Sequence, residues 1–261
     1  MIRKHMTQKA DYWIFETEVL RKRAIELCGF PEDRISVVRM AHSKLVSKDR
    51  VDISQSEFFD KRIPKAYRIL YLTGAHPNKR LHLLPDIAKE MVRAGFNDFC
   101  FVTTMDEETM YARRIIDEFV DKGLNAHLVN LGTVHSEYVS TVIEVCDAMC
   151  IFSVLESFSN NFVEAWRMEK PLVTTDADWS RDSCGNAALY VDPAKTAQTA
   201  SELISLARNE LKQFRYTEEG KIQLARYHTP ESKLNAYLDV ILRAKQLGPL
   251  SSKLRKKIHW S

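Results

Sequence analysis

Between about residue 66 and residue 191, short apolar runs alternate with stretches of helical period. The runs are Arg68–Leu72 (RILYL), Asp98–Thr103 (DFCFVT), Ala126–Asn130 (AHLVN), Ala148–Ser153 (AMCIFS), Leu172–Thr175 (LVTT) and Ala187–Val191 (AALYV). Each is too short for a helix, and most are bounded by Gly, Asp, Asn or Pro, as buried parallel strands are. Between them, apolar positions recur at helical spacing: Leu84, Ile87, Met91 and Val92, then Ile115, Ile116 and Phe119, then Tyr138, Val139, Val142 and Val145. Strand–helix alternation of this kind predicts βαβ units, and so an α/β fold with a parallel sheet covered by helices on both faces.

The flanks read differently. Residues 1–45 predict a separate βαβ piece: Tyr12–Phe15 strand-like, Glu18–Leu27 helical and stopped by Gly29, Ile35–Met40 strand-like. Two strands and a helix do not make a stable sheet alone, so this piece needs the main domain, a partner or a further segment to pack on. The polar stretch from Ser43 to Lys65 lacks a clear period, and residues 46–65 read as a linker before a main domain at 66–215. Residues 216–261 read as C-terminal helices and a basic tail. The last helix is expected from about Pro230 to Gln246, after the start signal Thr229-Pro230, with Leu234, Tyr237, Leu238, Ile241 and Leu242 on one face.

Composition narrows the class. Hydrophobic residues at 45% and charged residues at 28% are globular values. A formal charge of +3, from 38 Lys+Arg against 35 Asp+Glu, is too small to imply a nucleic-acid partner. The five cysteines (Cys28, Cys100, Cys146, Cys150, Cys184) form no C-x-x-C pair and suit a reducing cytoplasm. Cys146 and Cys150 are four apart, but no histidine follows nearby to complete a metal site. No apolar run reaches the roughly 18 residues a membrane span needs, and MIRKHMTQKA has no apolar core of a secretory signal. The C-terminal KLRKKIHW, with Leu254, Ile258 and Trp260 among cations, reads either as a weak contact for an anionic membrane surface or as a solvated or packed tail.

In an open parallel sheet, ligands bind beyond the carboxyl ends of the strands. The loop after the first strand of the main domain reads Thr73-Gly74-Ala75-His76-Pro77-Asn78-Lys79-Arg80, just before a helix. Two adjacent cations there suit a diphosphate; they equally suit an ordinary βα turn with solvated charges. The run Ser153–Ala165 is more specific. Glu156 lies past a strand end, Glu164 in the first turns of the next helix, and Ser157, Phe158, Ser159, Asn160 and Asn161 offer amides at that helix N-terminus, a place for an anion. Helix capping by Ser159 or Asn160 and the helix dipole account for single residues, but not for two carboxylates framing an amide-rich turn. His76 and His135 fall in loops at the same end.

Glu156 and Glu164 form an E-x7-E pair within ESFSNNFVEA, which resembles the signature of the group-1 family of retaining, nucleotide-sugar glycosyltransferases. The likeness extends to ILYLTGAHPNKR, to LGTVHSEYVSTVIEVCDAMCIFS and to PLVTTDADWSRDSCGNAALYVDP, in the family's order. ADYWIFETEVLRKRAIELCGFPEDRISVV resembles the last βαβ unit of that family's N-terminal domain, so the likeness covers about residues 8 to 245. The family has two facing Rossmann-like domains, the GT-B architecture. The resemblance implies that this chain is the C-terminal, donor-binding half with only the last part of the acceptor half.

The resemblance assigns roles residue by residue. Lys79 and Arg80 would hold the donor diphosphate and, with Glu156 on the sugar hydroxyls, carry the catalytic part. Gly74, His76 and the amides of Ser157 to Asn161 would line the donor site, Glu164 would hold the ribose, and Gly132, Thr133 and Val134 would lie near the base. No cofactor or metal is implied, only the nucleotide-sugar substrate. A glycan or lipid-linked acceptor, polysaccharide biosynthesis in the cytoplasm or at the inner face of the membrane, and a partner chain supplying the acceptor half complete the expectation. The family often has Arg after the first-loop glycine, where Ala75 stands here, which leaves part of the diphosphate charge to His76, Lys79 and Arg80. The alternative is a non-catalytic nucleotide-sugar-binding module; an epimerase on the same architecture fits the E-x7-E and CGNAALYVDP segments less well.

Overall fold

The structure, a computed structural model, describes residues 9–258; most of MIRKHMTQKA and the terminal His259, Trp260 and Ser261 lie outside it. In chain order the elements are β1 (Trp13–Phe15), α1 (Glu18–Cys28), β2 (Ile35–Val37), α2 (Ile53–Arg62), β3 (Tyr67–Tyr71), α3 (Leu84–Arg93), β4 (Phe99–Thr103), α4 (Met110–Asp121), β5 (Leu128–Asn130) and α5 (Val139–Glu144). They continue with β6 (Ala148–Ile151), α6 (Asn160–Arg167), β7 (Leu172–Thr175), α7 (Asp178–Cys184), β8 (Leu189–Val191), α8 (Thr196–Arg208), α9 (Glu210–Leu224), α10 (Pro230–Leu247) and α11 (Ser252–Arg255). Two compact units result, residues 43–226 and residues 1–42 with 227–261.

The larger unit is a six-stranded sheet in the order β5-β4-β3-β6-β7-β8, every pairing parallel. The predicted α/β, Rossmann-like parallel sheet is therefore present. Successive side chains of a strand point to opposite faces. Ile69, Tyr71, Phe99, Phe101, Ala148, Cys150, Val173, Leu189 and Val191 thus share one face, where they merge with Leu84, Ile87 and Met91 of α3, Ile115 and Phe119 of α4, and Leu203 and Leu206 of α8. Because the strands are covered on both faces, nearly every position is apolar, which is why they read as runs rather than alternations. Beyond α5, helix α6 buries Phe162, Val163 and Trp166 and meets α9. Trp166 donates its indole N–H to Ala187 O at 3.0 Å.

The stretch expected as a linker is not one. Residues 53–62 form α2, whose N-cap Asp52 accepts from Gln55 N, and the segment belongs to the larger unit. Its anchor is Arg68, only 8% exposed, whose guanidinium donates to Asp60 Oδ1 at 2.5 Å and to the carbonyls of Ile63, Pro64 and Val145 at 2.9–3.0 Å. The hydrogen bond from Arg68, with its charge, also holds the Asp60 carboxyl below the usual carboxylate range. A boundary at residue 215 likewise fails, because α9 runs unbroken to Leu224.

The smaller unit pairs β1 with β2, Trp13 opposite Ile35. Its core is Trp13, Ala24, Phe30 and Ile35 closed by Leu250 and Ile258, so the C-terminal segment supplies the packing that the βαβ piece needs. Arg34 donates to Gly248 O at 2.5 Å and Leu247 O at 3.0 Å, and Arg255 pairs with Asp11. The basic tail is therefore partly committed: Ile258 is buried and Arg255 is bonded, leaving Lys253, Leu254, Lys256 and Lys257 exposed. Helix α10 starts at the expected Thr229 cap, which accepts from Ser232 N, but its apolar face divides: Tyr237 is half-buried, while Leu234, Leu238, Ile241 and Leu242 are exposed. Among the described residues, no helix is long and apolar enough to cross a membrane.

Gly220 shows how closely α9 and α6 approach. A Cβ there would stand 2.7 Å from Trp166 Cδ1, on a ring that is itself buried. Gly220→Ala is expected to destabilise the chain by about 1–3 kcal/mol, read as a lowered midpoint in denaturant titration.

Candidate active site

The strand order, numbered within the six-stranded sheet, is 3-2-1-4-5-6, and the chain reverses direction between β3 and β6. A crevice opens beyond the carboxyl ends at such a reversal. The two loops flanking it are residues 72–80 after β3 and residues 152–159 after β6, which hold most of the residues singled out from the sequence.

These loops are fastened to each other. Asn78 Nδ2 donates to Leu155 O at 2.9 Å, and Val154 N donates to Asn78 O at 2.8 Å. Beneath them, the Tyr71 hydroxyl donates to Lys79 O and accepts from Phe152 N at 2.9 Å. Tyr71 is fully buried, and burial pushes its phenol well above the usual tyrosine range, so it stays a donor. Asn161 Nδ2 donates to Leu72 O at 2.5 Å, tying α6 to the end of β3. The side chain of Asn161, expected among the donor-binding residues, is thus engaged in holding the site together.

At the mouth, Lys79 Nζ donates to Glu156 Oε1 at 2.5 Å. Two residues selected from different loops therefore meet as an ion pair, with side chains 25% and 15% exposed. Arg80 follows with a left-handed backbone, φ 52°, uncommon for a residue with a Cβ. Its guanidinium makes no ion pair or hydrogen bond to the described residues. His76 accepts from Asn78 N through Nδ1 at 3.1 Å and so caps the short turn Pro77–Lys79. Gly74 is exposed, has no left-handed φ, and a Cβ there would meet nothing within 4 Å, so no local geometry demands glycine at that position.

Helix α6 begins at Asn160, with Ser159 as an N-cap whose side chain makes no capping hydrogen bond. Its first-turn amides are consequently not satisfied by that side chain, and the positive end of the helix faces the crevice. Ser157 and Asn160 are exposed there, whereas Phe158 turns into the interior and meets Phe162 edge-on at 5.8 Å. Glu164, one turn into α6, is half-buried, and its carboxylate has no hydrogen-bond or ion-pair partner among the described residues. Burial pushes its carboxyl up to about 7.

Gly132, Thr133 and Val134 lie at the same end of the sheet but after the edge strand β5, two strands from β3, or roughly 10 Å. Gly132 adopts φ 74°, a left-handed turn that favours glycine. Beside it Asn130 accepts from Met105 N at 2.9 Å and Thr103 Oγ1 at 3.0 Å, closing the base of that loop. His135 is exposed, 3.3 Å from Glu137. Among the described residues, no three His, Cys, Asp or Glu side chains gather as metal ligands, and burial raises the thiols of Cys146 and Cys150. Tyr71 and Asn78 carried no signal that sequence reading could use: one looks like strand filling, the other like an ordinary loop asparagine.

Two outcomes are expected. Tyr71→Phe strands the Phe152 N–H and the Lys79 carbonyl in the interior and should cost about 1–3 kcal/mol in chemical denaturation. For Glu164 the folded chain binds its proton more tightly than an ordinary carboxyl, whose value is 4.5. Its ionisation therefore costs nothing below pH 4.5, costs progressively more as pH rises to about 7, and is constant above that. Glu164→Gln should remove this cost, raising stability at pH 8 by on the order of 2 kcal/mol with little change at pH 4.5, read from unfolding curves at the two pH values.

The family profile described as Glycosyl transferases group 1 matches residues 66–209, more than half of the chain and the whole six-stranded sheet. Among solved structures, a glycosyltransferase from Rickettsia africae aligns at TM-score 0.77 and 14% identity, over 94% of this chain and 67% of that one. Sucrose-phosphate synthase from Thermosynechococcus elongatus aligns at 0.75 and 14% identity, over 95% and 62%. Anabaena HepE, in complex with UDP and glucose, aligns at 0.72 and 14% identity, over 94% and 64%. At such identities the likeness is one of fold, and this chain spans 62–67% of the length of these three structures. No curated protein matches it. On the profile match, which takes in both fastened loops and the E-x7-E helix, the chain belongs to the group 1 glycosyl transferases.

Proposed function

We propose that this chain binds a nucleotide-sugar in the crevice between the β3 and β6 loops and transfers the sugar to a glycan or lipid-linked acceptor with retention of configuration. The observation that carries this is the meeting of Lys79 and Glu156 at the strand reversal, beside a start of α6 without a side-chain cap and a Glu164 carboxylate with no partner among the described residues. Arg80 and Lys79 supply the positive charge a diphosphate needs, and the first amides of α6 donate hydrogen bonds to its oxygens. Glu164 has both carboxylate oxygens available for adjacent ribose hydroxyls, and Glu156 is placed for the sugar hydroxyls once Lys79 turns to phosphate. The base extends toward Gly132–Val134.

In the transfer, the bond from the anomeric carbon to the diphosphate breaks with its electron pair going to the leaving phosphate oxygen. The acceptor oxygen bonds to the anomeric carbon on the same face, and its proton passes to a phosphate oxygen. The chain's contribution is electrostatic: Lys79 and Arg80 stabilise charge as it develops on the diphosphate, so this scheme needs no metal. The acceptor-binding half comes from a partner chain or from sequence beyond these residues. The setting is cytoplasmic, with a weak contact to an anionic membrane through Lys253, Lys256 and Lys257.

UDP is the first ligand to try, since HepE and S. aureus TarM have been solved with it. Calorimetry with UDP, GDP and ADP should give micromolar binding of one nucleotide, weakened at least about tenfold, or about 1.4 kcal/mol, by Glu164→Ala and by Lys79→Ala. Absence of binding by any of the three sinks the proposal. Binding without acceptor-dependent turnover leaves the chain a nucleotide-sugar-binding module.

A further inference from the structure

A second group of unpaired polar side chains lies at the other end of the large sheet. Residues 185–188 lead from α7 into the amino end of β8, whereas the crevice opens beyond the carboxyl ends of β3 and β6. Between this turn and α9 lies a pocket of about 360 Å³, lined by Arg181, Asn186, Tyr190, Arg215, Tyr216 and Glu219. Small-molecule sites occupy roughly 300–1,000 Å³, so one small ligand fits.

Two guanidiniums are held here against aromatic rings. Arg181 lies 4.5 Å over the Tyr190 ring, and Arg215 lies 4.6 Å over the Tyr216 ring. Each ring is fixed in turn: the Tyr190 hydroxyl donates to Gly185 O at 2.5 Å, and Tyr216 is buried in the main core. Asp176 accepts from Arg181 Nε at 2.5 Å and from Nη2 at 2.9 Å, which orients that fork and leaves Nη1 unpaired. The side chains of Asn186 and Glu219 have no hydrogen-bond or ion-pair partner among the described residues, and the Arg215 guanidinium has only its ring. Stacking has already removed much of the freedom that these two arginines would lose on binding an anion.

The lining calls for two kinds of group in one ligand. A neutral sugar would leave both guanidiniums without an anion. A bare anion would face the half-buried Glu219 carboxylate with nothing to donate to it. A phosphate suits the planar forks, through charge-assisted bidentate hydrogen bonds. Neighbouring hydroxyls can donate to the two oxygens of Glu219 and accept from the Asn186 amide. We propose that this pocket is a second ligand site, separate from the crevice, for a phosphorylated sugar. Arg181 and Arg215 take the phosphate, and Asn186 and Glu219 take the hydroxyls.

Calorimetry on the full chain tests this, with Lys79→Ala and Arg80→Ala introduced together so that the crevice cations do not report phosphate. Glucose 1-phosphate or glucose 6-phosphate should bind with a Kd below about 1 mM, at least about tenfold tighter than inorganic phosphate, and glucose should not bind at about 10 mM. Arg215→Ala, at an exposed position and with unchanged circular dichroism, should weaken the hexose phosphate at least about tenfold. Glu219→Gln should weaken the hexose phosphate without weakening inorganic phosphate, a split that a structural role for Glu219 would not give. Absence of hexose phosphate binding at about 10 mM overturns the proposal, as does binding insensitive to Arg215→Ala. Inorganic phosphate bound as tightly as either hexose phosphate would reduce the pocket to an anion patch and overturn it too. Because the crevice cations are gone in this background, the outcome does not depend on whether the chain binds a nucleotide-sugar.

Discussion

The hydroxyl of Tyr71 accepts from the amide of Phe152 and donates to the carbonyl of Lys79, so one buried phenol holds the roots of both loops that frame the crevice. The parallel sheet brings the strand ends within reach, but a strand order does not by itself fix where a loop cation points. Tyr71 does so from below, and Asn78 does so from above, through Leu155 O and Val154 N. The left-handed backbone at Arg80 and the ion pair of Lys79 are downstream of that clamp. A residue with a Cβ persists in such a conformation when its surroundings over-determine it.

The electrostatics of the crevice have a division of labour. Lys79 and Glu156 satisfy each other, which keeps a partly desolvated cation and anion from standing alone. In the proposed function a diphosphate would offer Lys79 a second anion and release Glu156 toward hydroxyl groups. Among the described residues the Glu164 carboxylate has no such partner, and burial disfavours its charge. Hydroxyl donors from a ligand would relieve that cost, so ligand binding and ionisation of this residue are coupled in sign: each favours the other.

Much of this was legible in the sequence, for physical reasons that also explain the failures. The strands of the large sheet read correctly because two-sided burial leaves them almost wholly apolar; Phe99–Thr103, for example, is buried at every position. The E-x7-E pair read as a site because its carboxylates flank a helix start, where a packing account has little use for both. Helix α2 was missed because ISQSEFFDKR buries only Phe59 and draws its stability from Arg68, a cation lodged in the following strand. The use of Asn161 and His76 in local hydrogen bonds was equally invisible, since the residue types that bind ligands in loops also cap turns. The partnership of the first 42 residues with the last 35 depends on contacts across almost the entire chain, such as Arg34 with Gly248, which no local pattern encodes.

That last arrangement constrains the order of events during synthesis. Trp13, Phe30 and Ile35 emerge from the ribosome early, yet the core they belong to is closed by Leu250 and Ile258. At about 5–20 residues per second, the intervening 43–226 unit occupies roughly 10–40 s of translation, time enough for it to fold while the N-terminal piece waits with apolar side chains exposed. For that interval the nascent chain is a folded sheet carrying an unfinished appendage, a natural client for a hydrophobic-binding chaperone.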